Sequence, residues 1–241
     1  MKIVENFVTK NPCYRAARKI TVKGLMLHSI GTPQPKAEVL VKNFDRTNAP
    51  TCVHGFIDGY TGTTYQTLPW NFRAWHCGGS GNDSYIGIEM CEPATITYTG
   101  GSTFVDNDYK ESRKVVWTTY QAAVELFAYL CKLYGLNPMK DILSHAEGHK
   151  KGIASNHGDP EHVWKKYGLT MDGFRADVKK TMEGEDVTKP TKQKLIVDGK
   201  EVKAECVNID GYNFYKLRDL CPHMGYNVGN NGKVPVIWKN E

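Results

Sequence analysis

Between Ser144 and His162 the chain carries four histidines, His145, His149, His157 and His162, and three acids, Glu147, Asp159 and Glu161. Solvated loops seldom concentrate metal-capable side chains this densely, and zinc is the ion that a mixture of imidazole and carboxylate ligands suits. A catalytic zinc needs three protein ligands and one open position for water. The stretch can supply two or three in sensible geometry, so a further ligand has to come from elsewhere. His28 is the best placed, because it follows the apolar run Gly24-Leu25-Met26-Leu27 and a strand end holds a ligand at fixed distance. Glu89 is the other residue of interest, a single acid in the buried-strand pattern Tyr85-Ile86-Gly87-Ile88-Glu89-Met90-Cys91. An unpaired buried carboxylate costs on the order of several kcal/mol, so it needs a partner or a chemical use. Inside the dense stretch two pairings compete. His145 and His149 stand four apart, which on a helix puts both on one face, yet Gly148 and Gly152 weaken a helix there; His145 with Asp159 is the other choice.

The elements that must position these groups can be read from periodicity. Val22 to Leu27 predicts a buried strand that breaks into a loop at His28-Ser29-Ile30-Gly31. Pro35 to Phe44 has helical spacing and opens on a proline suited to a first turn. Cys52 to Asp58 and Thr63 to Leu68 predict a hairpin, and Asn71 to Asp83, rich in Gly and aromatics, an ordered loop over the site. Residues 92–109 are polar and read as an exposed excursion. Apolar residues recurring at three or four from Lys114 to Tyr134 predict a long helix, stopped by Gly135 and Pro138. Asp141 to Ser144 is then the strand that delivers His145, and Asp172 to Met182 a last helix. From Glu183 to Lys194 apolar residues nearly vanish, which marks a linker. Short alternating strands follow, with turns at Asp198-Gly199 and Asp210-Gly211 and a short helix begun by Phe214 to Leu220. The division is thus 1–182, a linker 183–194 and a small domain 195–241.

Six motifs in one order, His28, Val53-His54-Gly55-Phe56, Ala74-Trp75-His76-Cys77-Gly78, Ile86-Gly87-Ile88-Glu89, Ser144-His145 and Asp159-Pro160, resemble the zinc-dependent N-acetylmuramoyl-L-alanine amidases of type 2. This family is shared by phage endolysins, wall-recycling amidases and peptidoglycan recognition proteins. The likeness runs from about Lys23 to Lys180. It implies an α/β fold with a mixed central sheet flanked by helices, a Zn2+ ion on His28, His145 and Asp159, and Glu89 as general acid and base. His149 and His162 are then solvated loop residues. His157 stands two before Asp159, where many family enzymes carry a lysine that supports the oxyanion, a role an imidazole N–H can fill. His54, Trp75 and His76 are candidates for substrate contact. The interval from His145 to Asp159 is longer than most members show, with Lys150 to Ala154 as an insertion. The tail resembles the small module named after the N-terminal region of copper amine oxidases, and implies an α+β accessory domain and a cell-wall grip, with a homo-oligomer through that domain as a further option.

Composition agrees with a soluble globular protein: 40% hydrophobic and 24% charged residues over 241 positions suffice for a core and leave disorder aside. A net charge of +5 suits an anionic partner such as the bacterial wall. No phosphate loop, nucleic-acid module or membrane-spanning run is visible. Seven cysteines without a C-x-x-C spacing read as reduced thiols. The first ten residues show no signal-peptide pattern, so the expectation is synthesis in the cytoplasm and action on peptidoglycan after holin-type release or lysis. Two other readings share the motifs, a recognition protein that binds without cleaving and a cytoplasmic recycling amidase. The intact ligand set and Glu89 speak against the first, the appended tail against the second.

Overall fold

The computed structural model describes residues 1–183, 190–209, 212–231 and 234–240. The chain forms two compact units, Met1–Gly184 and Glu185–Glu241.

The first unit is built on β2 (Gly24–Ser29), whose six residues are all buried. It lies between β5 (Tyr85–Met90) and β8 (Ile142–Ser144) and runs parallel to both. Strands covered on both faces read as continuous apolar runs, which is the pattern here. The sheet continues through β3 (Gly55–Ile57), β4 (Thr64–Gln66) and β1 (Ile3–Glu5) in the order β1-β4-β3-β5-β2-β8, with only β3 and β4 antiparallel. Alternation along the strands separates two layers. Leu25, Leu27, Ile86 and Ile88 pack with Val116, Tyr120, Phe127 and Phe174 from α3 (Tyr109–Tyr134) and α7 (Met171–Met182). Their neighbours Met26, His28, Gly87 and Glu89 therefore face away from that helical layer, and this is the face that carries the chemistry. Phe56 of β3 packs with Leu40 and Val41 of α2 (Ala37–Phe44).

Several boundaries differ from expectation for local reasons. β2 runs on through Ser29, because Ser29 still pairs with Met90, so His28 is the strand's penultimate residue. The N-terminal segment joins the sheet: β1 pairs with β4, and Asn11 caps the short α1 (Pro12–Ala16) by accepting from the Cys13 N–H. α3 begins five residues before Lys114, since Asp108 caps it through the Glu111 N–H, and it ends where Gly135 takes a left-handed conformation, φ 65°. The exposed excursion is a hairpin, β6 (Ile96–Gly100) and β7 (Thr103–Asp106), turned on Gly100 and Gly101. Ile96 is buried, and Phe104 packs against the main core. After α3 come α4 (Pro138–Asp141), β8, α5 (His145–Lys150) and α6 (Glu161–Trp164).

The second unit holds an antiparallel sheet of β9 (Thr191–Val197), β10 (Lys200–Ile209) and β11 (Tyr212–Tyr215), the short α8 (Leu217–Leu220), and the pair β12 (Tyr226–Asn231) and β13 (Val234–Lys239). The proposed linker needs correction at its end. Residues 184–189 lie outside the described residues, but Thr191 to Lys194 belong to β9, paired with Lys203 to Cys206. An edge strand draws its order from backbone pairing, and lysines on it discourage further pairing; low apolar content was therefore no sign of a linker there. The turn at Asp198-Gly199 is present, the one at Asp210-Gly211 lies outside the described residues, and Phe214 sits in β11 rather than in the helix. Among the described residues no helix is long and apolar enough to cross a membrane.

Candidate metal centre and catalytic cleft

Strand register assembles the centre. His28 of β2 is paired with Glu89 of β5, while on the other side Leu27 is paired with Ser144, so the next residue, His145, emerges beside His28. Ser144 is also the N-cap of α5: its Oγ accepts from the Glu147 N–H, and the Glu147 carboxylate accepts from the Ser144 N–H. This capping box holds a helix in spite of Gly148, and Gly148 has its own reason, since a Cβ there would come within 2.7 Å of Met26 Cε. His149 lies on α5, exposed, with Nδ1 beside the Ala154 carbonyl. Helical spacing to His145 is thus real, but it does not bring His149 to the centre.

His28, His145 and Asp159 do converge, all buried, each offering a ligand atom within 4.8 Å of the others. His28 Nδ1 lies 3.0 Å from His145 Nδ1 and 3.2 Å from Asp159 Oδ2, and His145 Nδ1 lies 3.5 Å from Asp159 Oδ1. The opposite ring nitrogens are engaged elsewhere. His28 Nε2 meets His76 Nδ1 at 2.9 Å, and His145 Nε2 meets Ser155 Oγ at 3.2 Å. Ser155 donates its own proton to the Cys77 carbonyl, so it can only accept from His145. With Nε2 of His145 protonated, Nδ1 is left as a lone pair facing a carboxylate and a second ring nitrogen. Acceptors so arranged are stable only with a positive charge among them, and two imidazoles with one carboxylate are a zinc donor set with room for a fourth position.

The centre opens into a cavity of about 730 Å³ whose lining includes Glu89, Tyr98, Ser102, His157 and His162 with His145 and Asp159. Glu89 Oε2 is buried without a hydrogen-bond partner. Burial, then the charges of Asp159 and Glu92, push its carboxyl well above the ordinary range. His157 Nδ1 lies 3.0 Å from Ser155 Oγ and 3.2 Å from His145 Nε2.

The residues proposed for substrate contact separate. His54 is fully buried, with Nε2 on the Phe72 carbonyl and Nδ1 accepting from the Gly87 N–H, which leaves no polar atom for a ligand and corrects its placement at the cleft. His76 lines the cavity, but both ring nitrogens are engaged inside the protein, with His28 and with the Tyr85 carbonyl. Trp75 is 42% exposed, stacked under the Arg73 guanidinium at 4.9 Å, and outside the cavity lining.

The sequence reading missed a second polar cluster. Tyr98 donates to Glu92 Oε2 at 2.8 Å and meets His162 Nε2 at 2.8 Å, while Glu92 Oε1 accepts from the Gly31 N–H. His162 is therefore half-buried in the cavity wall rather than solvated. Burial raises Glu92 to about 7. The available signal was Glu92 itself, an acid three residues beyond Glu89 at the edge of a buried run; reading 92–109 as exposed discarded it.

Residues 18–162 match the sequence profile of the N-acetylmuramoyl-L-alanine amidase family. No curated protein matches the chain by sequence. Among solved structures, the Staphylococcus aureus hydrolase AmiA, in complex with its ligand, is similar with a TM-score of 0.58 at 20% identity, over 77% of this chain and 86% of that one. PlyL gives 0.53 at 19% identity, over 74% of this chain and 97% of its own. The catalytic domain of XlyA gives 0.51 at 22%, over 74% and 99%. At these identities the likeness establishes the fold, a mixed sheet flanked by helices.

Proposed function

The chain belongs to the N-acetylmuramoyl-L-alanine amidase family, and from that premise we propose that it is a zinc-dependent hydrolase of the amide between the lactyl group of N-acetylmuramic acid and the L-alanine of the stem peptide. The observation that carries this reading is the meeting of His28, His145 and Asp159 beside an unpartnered Glu89 carboxyl in an open cavity. Zinc held by those three residues would supply Lewis acidity, polarising the amide carbonyl and making a water more acidic. Glu89 takes a proton as water attacks the carbonyl carbon and returns it to the alanine nitrogen, so that amide and water give a free carboxyl and a free amine. Its raised proton affinity suits that task. His157, with Nδ1 turned toward Ser155 and His145, has Nε2 left to donate to the developing oxyanion. Trp75, next in the chain to the cavity-lining His76, offers an exposed ring for a sugar face.

The biological setting we propose is a phage or prophage endolysin whose second unit, similar in sequence to the copper amine oxidase accessory module, grips the wall. The exposed Phe214, Tyr226 and Trp238 of that unit fit a carbohydrate partner. The deciding experiment is digestion of purified walls with and without chelator, followed by identification of the new chain ends. New alanine amino termini that vanish on chelation support the reading; new reducing sugar ends, or cleavage indifferent to chelator, reject it.

A further inference from the structure

Which nitrogen of a ligand histidine is bare depends on what the other nitrogen meets. His28 Nε2 lies 2.9 Å from His76 Nδ1, and His76 Nε2 lies 3.2 Å from the Tyr85 carbonyl. A carbonyl only accepts, so His76 Nε2 carries a hydrogen. A second hydrogen, on Nδ1, would make an imidazolium. No carboxylate contacts His76 among the described residues, and its ring packs against those of His28 and His54 and the backbone of Gly87. A charge there would be buried without a counter-charge. His76 Nδ1 is therefore the acceptor and His28 Nε2 the donor, which leaves His28 Nδ1 bare and aimed at Asp159 and His145.

His76 is itself held from three sides. Its backbone N–H donates to Asn82 Oδ1 at 2.7 Å, its ring donates to Tyr85, and its ring lies on Gly87, where a Cβ would come within 2.4 Å of His76 Cγ. Tyr85 and Gly87 belong to β5, the strand that also carries Glu89. One strand thus sets both the proposed base and the partner of a metal ligand.

We infer that His76 is a positioning residue for the metal centre, locking His28 in the Nε2–H tautomer and turning its Nδ1 toward the ion. The inference rests on the zinc reading above and replaces a direct substrate contact for His76. The test is nitrogen NMR on the zinc-loaded, histidine-labelled full chain, together with zinc affinity from chelator competition. The expected spectrum has a proton on His28 Nε2 coupled to His76 Nδ1 across the hydrogen bond. His76→Leu should weaken zinc binding by about 10- to 100-fold, the usual effect of removing such a partner. His76→Asn, whose side-chain oxygen can accept from His28, should recover most of it, which a purely space-filling role would not predict. A proton on His76 Nδ1, or zinc affinity in a folded His76→Leu equal to wild type, overturns the inference. Should His76→Leu fail to fold, the wild-type tautomer decides alone. A wild-type chain that takes up no zinc is a different result, overturning the zinc reading and this inference with it.

Discussion

Glu89→Gln separates chemistry from metal binding and folding in one substitution. It keeps the shape of the side chain and removes the base, and a general acid–base group contributes about 10² to 10⁴ in rate. At about 1.36 kcal/mol per tenfold, that is a loss of about 2.7 to 5.5 kcal/mol of transition-state stabilisation. Zinc content should not change, because Glu89 is not among the atoms that converge at the centre. Stability should be equal or slightly higher. The carboxyl is disfavoured as an anion first by burial and then by Asp159 and Glu92, and a neutral amide removes that repulsion. The amide still leaves a polar atom unpaired where Oε2 was, a cost of about 1–3 kcal/mol that the acid already bears. The assays are release of alanine amino termini from purified walls, zinc per chain, and thermal melting. Wild-type turnover in Glu89→Gln refutes the role of base, and loss of zinc from it moves Glu89 into the ligand set.

Alanine at His145 or Asp159 should abolish zinc retention and activity, while alanine at the exposed His149 leaves both intact; the reverse pattern in metal analysis would reassign the ligands. Glu92 gives a pH signature. Burial lifts it from 4.5 to about 7, so between these values the folded chain keeps a proton that the unfolded chain releases. Stability then falls as pH rises from about 4.5 to about 7 and stays lower above, by up to about 3 kcal/mol at 1.36 kcal/mol per unit. Glu92→Gln removes that slope, so its melting temperature relative to wild type should climb across the window, and a pH-independent difference contradicts the account. A chain ending at Lys189 should still cleave soluble muropeptides but lose activity on intact walls, since a tether raises effective concentration only at a surface. Equal activity losses on both substrates would remove the targeting role of the second unit.

What could be read before the fold was known divides along a physical line. His28, Glu89 and His145 stood out because each breaks a local pattern, an imidazole closing an apolar run, an acid inside one, a histidine directly after a strand; Asp159 stood out only through the dense histidine stretch and the order of the motifs. The central strands were legible because parallel strands covered on both faces leave long apolar runs in the sequence. Contacts between distant segments were not. Nothing local marks Tyr98 as the partner of both Glu92 and His162, since those three meet only when the hairpin folds back over the cavity wall. His54 and His76 show the same limit from the other side. Both have the residue type of a ligand-contacting group, but their nitrogens are taken up inside the protein, by the Phe72 and Gly87 backbone for His54 and by the Tyr85 carbonyl and the His28 ring for His76.

The long interval between His145 and Asp159 fits the same logic, because loop length does not place Asp159. Asp159 is tied at its own position, where Oδ2 accepts from the Ser29 N–H and its carbonyl accepts from the Ala146 N–H. The start of α6 is tied back to β8, where Ser144 Oγ donates to Glu161 at 2.8 Å. The inserted residues and the one that follows them are anchored separately: the Ile153 carbonyl accepts from the Gly81 N–H, and the Ser155 N–H donates to the Cys77 carbonyl. Both ends of the interval are therefore fixed by the sheet and α5, and the extra residues settle against the 76–82 loop. That loop also carries His76, so the insertion packs on the segment that orients His28 and delivers Ser155 to His145. The departure in spacing leaves His28, His145 and Asp159 together, and Ser155, directly after the insertion, meets His145 Nε2.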